Sequence, residues 1–264
     1  NLSMQVIVDS AQLRMDPRDI QNYLNKDYIV TITGSKYFTG PPYSGALIVP
    51  ESVSKSIDTV KKKLPEGLTQ YYNHTDWPTS WVCSNDLSDG FNYGSYMRWN
   101  AAIVEMDRYY KTPILYRNMG IEMFCNFVED SIKDATFLEP LYGDEVNTNT
   151  YNSKEFGIRS MRTIFPFFIL KNNEALSIDN VKKLYTLLNS DISDQFEDAS
   201  LEIIRLAAQK CHTGQAVNVK YNHKTESAIL RISLGARVIS ESWVNRDISL
   251  FFRNIEAQMN QVTV

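Results

Sequence analysis

The sequence predicts a mainly α protein of the α+β kind, with a small N-terminal β element and two helical lobes. Three observations carry that expectation. Short alternating apolar runs are confined to the first fifty residues, helical periodicity dominates after residue 94, and a small polar stretch at 143–152 interrupts it. The 264 residues are 43% hydrophobic and 22% charged, which is enough to bury a core without a metal or disulfides.

Taken in order, "MQVIVDS" and "DYIVTIT" read as strands and "GALIVP" as a third. Between the first two, Asp16 stands at a helix N-cap, Pro17 at the first helical position and Asp19 in the first turn, so a short helix is expected. Another follows Pro50, with Val53, Ile57, Val60 and Leu64 on one stripe and "PEG" at 65–67 to stop it. The lysines 61–63 lie at its end, where the helix dipole favours cations, and read as a solvated turn. "YFTGPPYSG" at 37–45 reads as a proline-aromatic turn packed on the sheet. Residues 71–94 form a connection longer than the about 12–15 residues usual in compact domains; its tryptophans and tyrosines argue for order.

Helices are then expected at 95–111, 113–133, 154–165, 178–189, 194–212 and 245–260. Ser177 caps the fourth, Asp194 with Glu197 resembles a capping box, and Gly214 closes the fifth. The segment 226–243 is ambiguous. Ile229, Ile232, Ala236, Ile239 and Trp243 fit a helix, Leu230, Ile232 and Leu234 fit a strand, and the helix is preferred. In the last helix Ile248, Phe251, Phe252, Ile255 and Met259 make one apolar face. The expected organisation is an N-terminal lobe at 1–142, a connecting loop at 143–152 and a C-terminal helical lobe at 153–264.

Helical geometry decides what the aromatic and basic residues of 95–133 should do. Tyr96, Trp99, Ile103, Met106 and Tyr110 fall in an arc roughly 80° wide, with Arg98 and Arg108 outside it, so the rings are expected in a core. In the next helix the apolar arc spans roughly 200° and includes Arg117. A guanidinium there needs a carboxylate, carbonyls or a ligand anion, because an unpaired buried charge is prohibitive.

The net charge of −4 excludes a general positive coat, so any polyanion contact must be local. Charge is segregated by segment, however. Arg159 and Arg162 share one helical face within a basic stretch, and residues 126–146 and 174–202 are acidic. There is no phosphate-binding glycine loop, no nucleophile elbow and no zinc-protease motif. His74, His212 and His223 are dispersed, so no metal and no cofactor are expected. Cys83, Cys125 and Cys211 are few and odd in number, which suits a reducing compartment.

These readings favour a non-enzymatic assembly protein that encloses a polyanion, of the nucleocapsid or coat type, with single-stranded RNA as partner and self-association into an oligomer. Arg117, Arg159, Arg162, Arg98 and Arg108 would meet phosphates, and Trp77, Trp81 and Tyr93 would stack on bases. No membrane span or signal segment is expected, and a cytoplasm or virion is favoured over secretion, which the glycosylation sequons at Asn1 and Asn73 leave open. One alternative is a protein–protein interaction module using the 71–94 loop. The other is a small hydrolase that pairs carboxylates from among Asp76, Asp86, Asp89 and Glu122.

Overall fold

The computed structural model describes residues 4–58, 63–141, 163–211 and 213–263. It corrects the mainly α expectation. The chain is 47% helical and 20% strand, with eight α-helices and two sheets of three and five strands among the described residues, a mixed α and β fold. The backbone divides into two compact units, Asn1–Lys111 and Thr112–Val264. The polar stretch at 143–152 lies outside the described residues.

Unit 1 begins with strand β1 (Ile7–Ser10), helix α1 (Pro17–Leu24) and strand β2 (Ile29–Thr33). β1 and β2 are parallel, with Val8 opposite Val30 and Asp9 opposite Thr31. Two parallel strands need a crossover, and α1 supplies it. The crossover helix starts where the sequence places it: the Asp16 carboxylate accepts from the Arg18 amide at 2.9 Å, and Pro17 opens the first turn. Strand β3 (Gly45–Ile48) then pairs antiparallel to β2, giving the order β1-β2-β3. Helix α2 (Glu51–Asp58) follows, and short 3-10 turns at Leu68–Gln70, His74–Asp76 and Val82–Asp86 order the long connection.

Helix α3 (Tyr93–Lys111) overturns one expectation. Its buried residues are Ala102 and Tyr109, whereas Tyr96 and Ile103 of the expected core stripe are 57% and 52% exposed. The reason is a backbone contact. Gly34 and Gly40 lie against Ala102 so closely that a Cβ on Gly34 would sit 2.3 Å from the Ala102 Cβ. A helix held by its smallest residue turns its aromatic stripe outward.

Unit 2 opens with helix α4 (Ile114–Asp134), which buries Gly120, Ile121, Phe124, Val128 and Ile132. Strands β4 (Leu138–Pro140), β5 (Ile164–Lys171) and β6 (Glu174–Ala175) follow, then helices α5 (Ile178–Leu188) and α6 (Leu201–Ala207). Strands β7 (Gly214–Tyr221) and β8 (Thr225–Ser233) and helices α7 (Ala236–Val244) and α8 (Ile248–Thr263) complete it. The sheet order is β4-β5-β8-β7, all antiparallel, with β6 paired to β5.

The helical C-terminal lobe of the sequence reading is therefore half sheet. The expected helix at 154–165 falls mainly outside the described residues, and Ile164 onward is strand. Pro166 hides that strand from pattern reading, since proline is rare in a central strand. The ladder tolerates it at one end: the Leu141 amide donates to the Pro166 carbonyl at 3.1 Å, and only the reciprocal bond is lost. Residues 225–233 are β8 rather than helix, and Ala228, Ile229 and Leu230 are buried in succession, as in a strand covered on both faces. Instead of a helix at 194–212 there is a 3-10 turn at Ser193–Phe196 and then α6, whose cap is Ser200, accepting from the Ile203 amide at 3.4 Å. Of the apolar face expected on the last helix, Phe251, Ile255 and Met259 are buried, whereas Ile248 and Phe252 are exposed.

Candidate functional site

In open sheets with parallel strands, ligands bind outside the carboxyl ends of the strands, where loops diverge. In unit 1 that edge is formed by the ends of β1 and β2. β1 ends in Asp9 and Ser10, and β2 in Thr33, followed by Gly34, Ser35 and Lys36. A chain of polar contacts joins the two ends. The Thr31 hydroxyl donates to the Asp9 carboxylate at 3.2 Å, and the Ala11 amide to the same oxygen at 2.9 Å. The Thr33 hydroxyl donates to the Ala11 carbonyl at 2.9 Å, and the Ser35 hydroxyl reaches Thr33 at 3.3 Å. Strand alternation places Asp9, Thr31 and Thr33 on one face of the sheet. Asp9 and Lys36 are both solvent-exposed, so a negative and a positive group stand on adjacent segments.

The loop that carries Lys36 is held rigidly. The Gly40 amide donates to the Gly34 carbonyl at 2.9 Å and the Thr39 amide to the Lys36 carbonyl at 3.0 Å, closing the turn on itself. Tyr37 and Phe38 are buried, and the Tyr37 hydroxyl donates to the Tyr109 hydroxyl at 3.0 Å while its ring meets Tyr109 edge-on at 5.4 Å. The sequence's reading of 37–45 as a packed aromatic turn describes this half of the loop. Burial, with Tyr109 beside it, pushes the Tyr37 phenol well above its ordinary range.

Backbone strain concentrates at the same edge. Leu13, Thr39 and Tyr43 have φ of 49°, 52° and 66°, in the left-handed region that bulky and β-branched residues avoid. Such strain persists only where packing over-determines it, and it clusters at functional sites. Leu13 follows β1, and Thr39 and Tyr43 flank the glycine and prolines after Lys36.

The residues singled out in the sequence fall in both units and partly outside the described residues. Arg159 and Arg162 lie outside the described residues. Arg98 and Arg108 are on α3 of unit 1. Arg98 packs over Gly94, and Arg108 makes a 3.7 Å ion pair with Glu105. Arg117 is on α4 of unit 2, half-buried on the stripe of Ile121, Phe124 and Val128, with its Nε withdrawn from solvent. Trp77 and Trp81 pack edge-to-face at 5.7 Å, and the Trp81 indole donates to the Ser54 hydroxyl at 2.9 Å, which ties the loop to α2. Tyr93 is exposed and rests on Phe91 at 4.7 Å.

Of the candidate carboxylates, Asp76 accepts from the Asn73 amide at 2.9 Å as a local cap, and Asp86 accepts from the Leu64 amide at 3.1 Å, which ties the loop to the segment after α2. Glu122 belongs to the other unit. Among the described residues no group of His, Cys, Asp and Glu is arranged to hold a metal ion, and no helix is long and apolar enough to cross a membrane. Unit 2 contains a cavity of about 100 Å³ lined by Leu187, Ile192, Phe196, Leu206 and Cys211 among others. Burial raises the Cys211 thiol to about 11, which marks it as packing and not as a nucleophile.

Comparison with protein-family models, with curated proteins and with solved structures returns no match. The chemistry of the site is therefore argued from its own residues. Asp9 and Lys36 were missed in the sequence because each is an ordinary surface residue until β1 and β2 are known to run parallel. The available signal was the strand–helix–strand order itself, followed by a loop with glycine at 34, 40 and 45.

Proposed function

We propose that unit 1 binds a small polar ligand at the carboxyl ends of β1 and β2. Asp9 accepts a hydrogen bond from its donor group, and Lys36 meets an anionic or carbonyl oxygen. The observation that carries this reading is the convergence of an oriented carboxylate and a lysine-bearing loop at the one parallel strand pair among the described residues. Lysine supports either contact. As an ammonium it is a point charge for an anion, and as a free amine it condenses with a carbonyl carbon, expelling water to leave an imine.

The test is to treat the purified chain with borohydride, digest it and weigh the peptide that contains Lys36, in parallel with measuring how fast acetic anhydride labels each lysine. A reduced adduct on Lys36, absent from K36R, supports the reading through the carbonyl arm. Protection of Lys36 from labelling, lost after dialysis against high salt, supports it through the anionic arm. An unmodified Lys36 that labels as fast as Lys182 overturns it.

A second reading is favoured by the ring cluster at the start of α3. Phe91, Tyr93 and Tyr96 are exposed, and the Phe91 ring meets Tyr93 at 4.7 Å and Tyr96 at 5.5 Å, with Arg98 two residues further along α3. Aromatic rings next to an arginine are the stacking platform of single-strand binders. This keeps polyanion binding, with single-stranded RNA and self-association, as a proposal. Its test is the 260/280 nm ratio with light scattering at low and high salt. A raised ratio in a large particle that dissociates with salt supports it, and a clean protein ratio at monomer mass under both conditions removes it.

A further inference from the structure

We infer that Arg14 is the specificity-determining residue of the carboxyl-edge site, so that the ligand met by Asp9 and Lys36 carries an anionic group, a carboxylate or a phosphate. The inference rests on the ligand-site reading above and adds the chemical class of what binds there.

Arg14 lies in the short segment between β1 and α1, on the same edge as Asp9. Its guanidinium stacks over the Tyr37 ring, with Cζ 4.9 Å from the centroid, and Tyr37 is the neighbour of Lys36 in the chain. A cation on the face of a buried aromatic ring is held in one orientation. Arg14 and Lys36 thus stand on the loops that leave adjacent parallel strands, with Arg14 against the ring that follows Lys36 in the chain. Tyr37 is itself fixed by the Tyr109 hydroxyl and by the edge contact with Phe38 at 5.2 Å.

The residue before Arg14 gives independent support. Leu13 is buried with φ of 49°, and its amide donates to the Ser10 carbonyl at 2.8 Å. The chain thus makes a strained tight turn at the end of β1 and delivers Arg14 directly afterwards. A solvated arginine needs no such turn. The groups that bear on its titration are its own burial, which lowers it, and the phenols of Tyr37 and Tyr109. A partly desolvated guanidinium gains more from an anion than a surface lysine does, and its planar fork matches a carboxylate or phosphate with two parallel bonds.

The experiment traps small aldehydes on the intact chain with cyanoborohydride and reads Lys36 labelling relative to Lys182. Three probes are compared: acetaldehyde, which is neutral; glyoxylate, which adds a carboxylate; and glycolaldehyde phosphate, which adds a phosphate. In each case the lysine amine attacks the aldehyde carbon, water leaves, and hydride from the reagent reduces the imine.

The expected result is that at least one anionic probe reaches half-labelling of Lys36 at a concentration about tenfold lower than acetaldehyde, after normalisation to Lys182, the size of one charge-assisted hydrogen bond. The preferred probe separates carboxylate from phosphate. Arg14→Met keeps the apolar stem over Tyr37 and should abolish the preference, read as the ratio of anionic-probe to acetaldehyde labelling at Lys36; Arg14→Lys should retain part of it. Lys36 labelling that exceeds Lys182 equally for all three probes overturns the role of Arg14 and leaves the site standing, a result the unsubstituted protein gives by itself. Lys36 labelling that never exceeds Lys182 overturns the site and the inference together.

Discussion

Both units make sharp turns with residues of positive φ, but they use different residues to do it. In unit 2 the turns fall on Asn172 and Asn173 between β5 and β6, and on Asn222 and His223 between β7 and β8. These short polar residues tolerate the left-handed region, and paired left-handed residues suit the twist of antiparallel hairpins. In unit 1 the same backbone region is occupied by Leu13, Thr39 and Tyr43, and by Asp27 ahead of β2; in unit 2 Arg246, between α7 and α8, also adopts it. Thr39 and Tyr43 lie in the long connection between antiparallel β2 and β3, and Leu13 between β1 and α1, so none sits in a two-residue hairpin turn. Glycine-to-helix packing and the Tyr37–Tyr109 contact hold the β2–β3 connection in place. The hairpin turns of unit 2 thus use residues that tolerate the left-handed region, whereas the connections that follow β1 and β2 use residues that avoid it.

Four predictions, two of them with a control substitution, break or sharpen that contrast. The largest effect is expected in the sheet of unit 2. Phe167 is fully buried opposite Leu230 in β8, so Phe167→Ala should cost about 3–5 kcal/mol. Hydrogen exchange should show the loss in β5 and β8, and urea unfolding should measure it. Equal exchange in F167A and the unsubstituted chain would mean that this sheet is not the core of its unit.

Gly34→Ala comes next. Its Cβ would meet the Ala102 Cβ at 2.3 Å, and the cost should be about 1–3 kcal/mol in unit 1. Gly67, with nothing near its would-be Cβ, is the control and should tolerate alanine within about 0.5 kcal/mol.

Tyr37→Phe removes the hydroxyl contact with Tyr109 and should cost about 1 kcal/mol. It also has a pH signature. Burial, then Tyr109, raises the folded-state Tyr37 value above the 10.0 of an ordinary phenol. The unfolded chain therefore loses that proton first. This contribution to stability is complete below pH 10 and is lost as pH rises through the folded value. An alkaline melting series should show a steeper loss above pH 10 in the unsubstituted protein than in Y37F, and parallel curves would exclude a raised Tyr37.

The smallest effect carries the sharpest comparison. Thr39→Gly relieves a β-branched residue at φ 52° and should stabilise by about 0.5–1 kcal/mol, with looser trapping of aldehydes at Lys36. Asn173→Gly, at φ 64°, should be nearly neutral because asparagine already accepts that conformation. If the two substitutions behave alike, the strain in unit 1 has no special meaning.

The elements that were legible in the sequence are those specified by local chemistry. Asp16 and Pro17 mark the start of α1, Ser177 that of α5, and the periodic face of α8 buries Phe251, Ile255 and Met259. Each depends on neighbours within a few residues. β5 was hidden by Pro166 and an unbroken apolar run, whereas the strand reading of β8, carried by Leu230 and Ile232, lost to the helix because residues 227–230 are buried in succession, which erases the alternation of a half-exposed strand. α3 shows the same limit in reverse. Its aromatic stripe is periodic, yet Ala102 decides which side is buried, because two glycines from another segment need a small partner.

The sequence by itself thus determined where α1 and α5 begin, and how many charges the chain must keep solvated. Tertiary structure decided which strands pair. The loops that carry Asp9 and Lys36 leave the same edge only because β1 and β2 run parallel, and Arg14 meets Tyr37 only in the folded unit. Capping and periodicity act over one turn of helix, whereas strand pairing is a choice among distant partners whose backbone groups are chemically identical. Side-chain packing across the whole unit resolves it.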